Sequence, residues 1–529
     1  MKFLKAYVIL FLIGWSTCAQ IKPIQVQKSE IQKDDKKDSE LMFTAYDGNG
    51  GFYTARMYSG GLIKSPKGYL LQHYDKSLQQ IGEYDYEIDD SSIKSFFVKD
   101  GKLNIIEYKR DRSANVNDYN LLTTPVGEFS FEKKKIFSVS RKDVKKPFMI
   151  LVGILPITNM GSVDHDPTGE VYLSEDKNFI TFNFDLKDDQ EETHLVKVYN
   201  DKLELVFEKE FKQEGIKDRL FEYNSVTTDN EDGTVYFLGK QYESERAKKD
   251  GKANYEYKLF SLSAEGMREL SFNTGENFVG SMELVNNQDN LVCVGFYSEK
   301  NDYRYKGTVY YNINKENFSL RTSSLNPFTE QFMVDKYGEK RGKRKKEKGK
   351  ELRDFTYRGF HIDEEGNTYF TAEEYYVVTH MMSGMNGMMT TTTTFYFKDI
   401  FACKINTEGK MQWARNFNKS QATAGKAIDY YSCLSTYKDD RLIILLNGSD
   451  KVKKLKDNRI RFDDKKVKKL SLYAIEILPD GDFDYEQIIN NKESKVTYKV
   501  AEGIVTNNKD AIILEGNKGK KKRIVKLTL

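Results

Sequence analysis

One turn recurs between hydrophobic runs along most of this chain. It appears as Asp47-Gly48-Asn49-Gly50, Lys99-Asp100-Gly101, Glu175-Asp176-Lys177-Asn178 and Asn230-Glu231-Asp232-Gly233. It returns around Gln288-Asp289, Asp363-Glu364-Glu365-Gly366, Lys438-Asp439-Asp440 and Lys509-Asp510, eight times in all. Asp, Asn and Gly concentrate where a backbone must reverse tightly, because their side chains bond locally or tolerate positive φ. A second turn follows each of the first seven, as in Tyr74-Asp75-Lys76-Ser77, Ser263-Ala264-Glu265-Gly266, Asn406-Thr407-Glu408-Gly409 and Pro479-Asp480-Gly481. Alternating apolar and polar runs flank it, for example His194-Leu195-Val196-Lys197-Val198-Tyr199 before one turn and Leu203-Glu204-Leu205-Val206-Phe207 after it. Alternation, a short polar turn and renewed alternation is a hairpin signature.

Two hairpins per repeat predict a unit of four antiparallel strands. Such a unit repeated around a ring is an all-β β-propeller, here eight blades by turn count with seven as the alternative. In blade 6 the segments EEGNTYF (364–370) and IFACKINTEGKMQWARNF (400–417) carry the pattern most clearly. They resemble the repeat units of secreted bacterial β-propellers. The resemblance spans nearly the whole mature chain; it implies a fold and no particular activity, since its motifs are structural turns. The eighth unit has only three strands, near Ile504, Ala511 to Leu514 and Ile524 to Leu527. A three-stranded last blade leaves an open edge. Residues 21–31, in which Ile24 and Val26 alternate with polar residues, are expected to supply the missing strand. The expected organisation is therefore a signal peptide over 1–19, an N-terminal strand and linker over 20–40, and one propeller domain over 41–529.

The composition fits. Tyr (34) and Phe (33) pack well on pleated surfaces, and only 8 Pro interrupt the ladders. Lys2 and Lys5 precede a mostly apolar stretch at 6–15, and Ser16-Thr17-Cys18-Ala19 ends it with small residues. This is an export signal with cleavage expected after Ala19; a lipid anchor on Cys18 is the alternative. No later apolar segment approaches the roughly 20 residues of a membrane-spanning helix. The net charge of +3 implies no global attraction to nucleic acid, which is not an expected partner. Cys293, Cys403 and Cys433 each lie in an apolar run and read as small buried residues.

Alternating strand direction places the two sets of recurring turns at one end of the blades and all other connections at the opposite end. The second set is expected to be long: residues 109–118, 140–167, 243–256, 327–354, 379–394 and 451–469. Rigid scaffolds present binding residues on such loops. Three segments there are strongly basic. Residues 340–350 hold eight cations in eleven, 451–470 ten in twenty and 517–523 five in seven. Lys343, Arg344, Lys345, Lys346, Lys453, Lys454, Lys465 and Lys466 are the candidate anion-binding residues. Asp164, His165 and Asp166 form a candidate ligand-binding trio on the same face. The run His380, Met381, Met382, Met385, Met388 and Met389 offers soft ligands of the kind Cu(I) takes, and offers equally an adaptable packing surface. Asp480, Asp482 and Asp484 occupy a turn where Asp-Gly is expected for conformational reasons. No Gly-rich phosphate loop, nucleophile elbow or cofactor motif is present, so no cofactor is expected. The sequence thus predicts an exported binding or scaffold protein of the cell envelope, with an envelope protein or acidic glycan as partner. A propeller enzyme acting on an acidic polysaccharide and a copper-binding protein are the alternatives.

Overall fold

A computed structural model describes residues 23–529 except 34–35, 37–38, 61–64, 146–167, 188–190, 218–219, 245–247, 250–251, 273, 276, 288, 300–303, 348–351, 353, 384–388 and 507–508. The expected signal segment with Cys18, the trio Asp164-His165-Asp166, and Met385 and Met388 lie outside the described residues. The chain forms eight four-stranded antiparallel blades in a ring. Blade 1 runs Glu40–Tyr46, Phe52–Gly60, Ser65–Tyr74 and Gln80–Glu87, each strand pairing with the next. Blades 2 to 7 repeat that order.

The recurring turns have a shared chemistry. In blade 1 Asp47 Oδ1 accepts from the backbone N–H of Asn49 at 2.7 Å and of Gly51 at 2.9 Å. In blade 6 Asp363 Oδ1 accepts from Glu365 N at 3.1 Å and Asn367 N at 2.7 Å. Asp75 and Asn200 do the same at the second turn of blades 1 and 3. A carboxylate or amide two residues upstream replaces the missing backbone acceptor, which is why these positions recur as Asp or Asn.

Burial follows the radial position of each strand. The middle strands of blade 7, Arg441–Ser449 and Leu470–Ile477, are buried along their whole length. The outer strand of blade 5, Ser319–Pro327, is exposed or half-buried throughout. Middle strands are covered on both faces by neighbouring blades, so they read as continuous apolar runs. Apolar clusters fill every seam, from Tyr53, Ile93 and Leu103 between blades 1 and 2 to Phe52, Ile513 and Ile524 between blades 8 and 1.

The ring closes with the first strand of the chain. Gln25–Lys28 pairs antiparallel with Lys521–Thr528, in the register Gln25 to Thr528 and Lys28 to Val525. Ile24 packs into the seam of blades 7 and 8 with Leu472, Val525 and Leu527. The closure expected from residues 21–31 is what the fold contains.

The connections differ from expectation in three places. Residues 109–118 are no long loop: strands Lys102–Asp111 and Val116–Pro125 leave only a four-residue turn. Residues 379–394 extend the blade-6 strands Thr368–Ser383 and Met389–Ile405 into a long hairpin, consistent with the β-prone run of threonines. The described part of the basic run, residues 340–347, is helical. Helix α1 (Glu330–Tyr337) and helix α2 (Glu339–Glu347) fill the connection from blade 5 to blade 6. Thr329 caps α1 by accepting from Phe332 N. Lys, Arg and Glu are good helix formers, which explains α2.

Candidate functional site

The ring presents two chemically distinct ends. The Asp- and Asn-bearing turns gather at one. The other carries α1 and α2, the blade-7 insertion at 451–469, and the blade-8 turn between Ala511–Lys518 and Lys521–Thr528. Two of the cationic segments, α2 and the 451–469 insertion, touch there. Glu339 N at the start of α2 donates to Asp457 Oδ2 at 2.9 Å, and Arg459 Nη1 donates to Lys336 O at 3.1 Å. The blade-7 insertion is a small hairpin, Lys453–Lys454 with Ile460–Asp463, whose second strand pairs in parallel with the outer strand of blade 6. Thr497 Oγ1 donates to Val467 O at 2.9 Å, tying the end of that insertion to the entry into blade 8.

The scaffold beneath is rigid. Lys336 of α1 bridges Asp399 at 2.8 Å and Glu374 at 2.9 Å on blade 6, and Arg415 reaches Asp335 at 2.7 Å. Deeper still, Glu373 is fully buried with Lys419, Arg358 and Ser432 on its two oxygens. Burial alone would raise the Glu373 pKa, but Lys419 and Arg358 outweigh it and hold it below the usual carboxylate value.

The candidate cations fall into two groups. Arg344, Lys453, Lys454, Lys465 and Lys466 are exposed. Lys465 pairs with Asp450. Lys343 is exposed and pairs with Glu339 at 3.2 Å. Lys345 lies over the Tyr337 ring at 3.9 Å, and Lys346 turns inward to donate to Phe328 O. The helix thus directs two of the four α2 candidates back onto the protein. His380, Met381, Met382 and Met389 lie in the extended blade-6 hairpin. Cys293, Cys403 and Cys433 are all buried.

A second cluster escaped sequence reasoning. Glu40 opens the first strand of blade 1, Asp429 lies in the short helix Gly425–Tyr430 before blade 7, and Glu502 lies in the turn Val500–Glu502 between the two pieces of the first strand of blade 8, Thr497–Tyr498 and Ile504–Val505. One carboxylate oxygen from each lies within 4.8 Å of the other two. First strands of successive blades lie against each other on the inside of the ring, so this is the inner rim at the long-connection end. Lys499 bridges Glu502 at 2.8 Å and Asp429 at 3.2 Å. Burial works against the Lys499 ammonium, but Glu502 and Asp429 outweigh it and raise its pKa. Glu502 is pushed up to about 8, first by burial and then by the charges of Asp429 and Glu40, against the pull of Lys499. Three acids against one ammonium favour an added proton or cation there. Nothing in the sequence marks them, because they come from connectors more than 70 residues apart with no shared motif.

No protein-family model matches the chain, and no curated protein matches it. Solved structures with the same architecture do. The β-propeller domain of the Trilobed protease from Pyrococcus furiosus is 9% identical, covering 85% of this chain and 95% of that one, at a TM-score of 0.35. The WD40 domain of SCAP from fission yeast is 8% identical, covering 96% and 98%, at 0.33. Prolyl oligopeptidase B from Galerina marginata is 7% identical, covering 90% and 55%, at 0.39. These neighbours are β-propeller proteins, and the likeness is one of fold.

Proposed function

We propose that this chain is an exported cell-envelope binding protein that takes a polyanion, an acidic glycan first, on its basic long-connection face. The observation that carries this reading is the convergence of α2, the 451–469 insertion and the blade-8 turn at one end of the ring. A summed cationic field raises the local concentration of a polyanion far more than separate loops do. The basic, apolar and small-residue order of residues 1–19 supports export. The expected behaviour is salt-sensitive binding of polygalacturonate by the mature chain. Replacing Lys453, Lys454, Lys465 and Lys466 together by Gln should weaken binding and flatten its salt dependence. Unchanged binding by that variant would remove the sector from the mechanism.

The carboxylate cluster favours a second reading, hydrolysis of the same polysaccharide. A carboxyl that stays protonated near neutral pH beside an ionised one has the makings of an acid/base pair. It ranks second because Lys499 engages both Asp429 and Glu502. New reducing ends on incubation with polygalacturonate, lost in Glu502→Gln, would promote it.

A further inference from the structure

A cavity of about 240 Å3 opens on the basic face beneath α2. Its walls come from blade 5 and the helical connection. Tyr297 lies in the second strand, Asn290–Ser298, and Pro327 ends the fourth; Phe328 follows it and Met333 projects from α1. Tyr297, Phe328 and Met333 are buried. The floor is therefore apolar. An apolar cavity of about 150 Å3 already accommodates benzene, so one ring or a short acyl segment fits here.

The same cavity is bordered by Lys346 and Lys306. Glu299 also borders it and is held by Lys306. Two ammonium groups thus stand at the border, with Glu299 against Lys306 and the charge of Glu330 reaching Lys346. The Lys346 ammonium carries three N–H groups and donates one to Phe328 O. Burial lowers its pKa, the mark of an ammonium partly stripped of water. Such a cation attracts an anion more strongly than a fully solvated one, because the local dielectric is lower.

We propose that this cavity is a subsite for an anion carried on an apolar body, with the body against Phe328 and Met333 and the anionic head on Lys346 and Lys306. The proposal rests on the reading of this face as an anion-binding surface. It narrows the ligand class from plain acidic glycans to polyanions bearing a small aryl or acyl group beside a phosphate or carboxylate.

The test compares phenyl phosphate with inorganic phosphate by calorimetric titration of the mature chain. Phenyl phosphate should bind at least tenfold more tightly. Lys346→Met keeps the apolar stem and should cost at least tenfold in phenyl phosphate affinity. Because that variant also loses the bond to Phe328 O, Lys306→Met provides a second measure and should weaken binding too. Lys202→Gln, on an exposed turn at the other end of the ring, should change nothing. Equal affinity for the two phosphates, or full affinity in both Met variants, would overturn the subsite. Polygalacturonate binding without a preference for phenyl phosphate would sink the subsite and leave the basic face standing. A phenyl phosphate preference without polygalacturonate binding would keep the cavity as an anion site and sink the polyanion reading.

Discussion

At the scale of single residues, one buried and one half-buried glutamate show how partners decide a titration. Glu373 meets two cations and stays ionised. Glu502 loses water to its surroundings and shares one ammonium with Asp429 while Glu40 stands close by, so burial first and then the two acids hold its proton up to about 8. An unfolded glutamate titrates near its ordinary value of about 4.3. Between these two values the folded chain keeps a proton that the unfolded chain has lost. Stability should therefore fall as pH rises through that window, and be fully retained below it. Thermal unfolding from pH 4.5 to 8.5 should show this decline, and Glu502→Gln should make it shallower; parallel curves for the two proteins would refute the assignment. Gly481 tests the turn chemistry. Its φ is +89°, and a Cβ there would sit 2.7 Å from Trp413 Cγ. The indole is itself held by a bond from Nε1 to Pro479 O at 2.9 Å. Gly481→Ala should cost about 1–3 kcal/mol in a urea melt, from a strained backbone and a ring with little room to move. The Asp-Gly pair was legible as a turn in the sequence. The reason for glycine at that blade, a tryptophan from the neighbouring blade, was not.

At the scale of elements, the closing strand carries the clearest test. Ile24 is 7% exposed within the seam of blades 7 and 8. Ile24→Ala should cost about 2–4 kcal/mol, as large-to-small changes in packed cores do. Deleting residues 23–33 should expose the backbone edge of Lys521–Thr528 and promote edge-to-edge association, visible as salt-independent oligomers by sedimentation. A monomeric deletion variant of full stability would contradict the closure. This strand was legible because the last repeat lacked one member and the alternation of Ile24 and Val26 supplied it. The eight first turns were legible for the local reason given above. The helices were not. Counting cations in residues 340–350 pointed to a solvated loop, whereas α1 is fixed by Lys336 and Arg415 meeting acids on α1 and blade 6. Those pairings join residues 38 to 80 positions apart, and no local pattern announces them.

At the scale of the whole molecule, a net charge of +3 conceals an uneven distribution. Turn chemistry places Asp at one end of the ring for conformational reasons. Insertions place Lys and Arg at the other, in the sector of blades 5 to 8. The candidate cations were readable from the sequence, and their neighbourhood followed from strand direction alone. The inward turn of Lys345 and Lys346 followed from the helix that carries them and had no sequence signal. The central claim is that this sector is the binding face. Hydrogen exchange of residues 20–529 with and without dextran sulfate tests it most directly. The account predicts slowed exchange in 339–347, 451–469 and 518–523, with the Asp-bearing turns of blades 1 to 4 unchanged. Protection confined to those turns, or no protection anywhere at saturating polyanion, would contradict it.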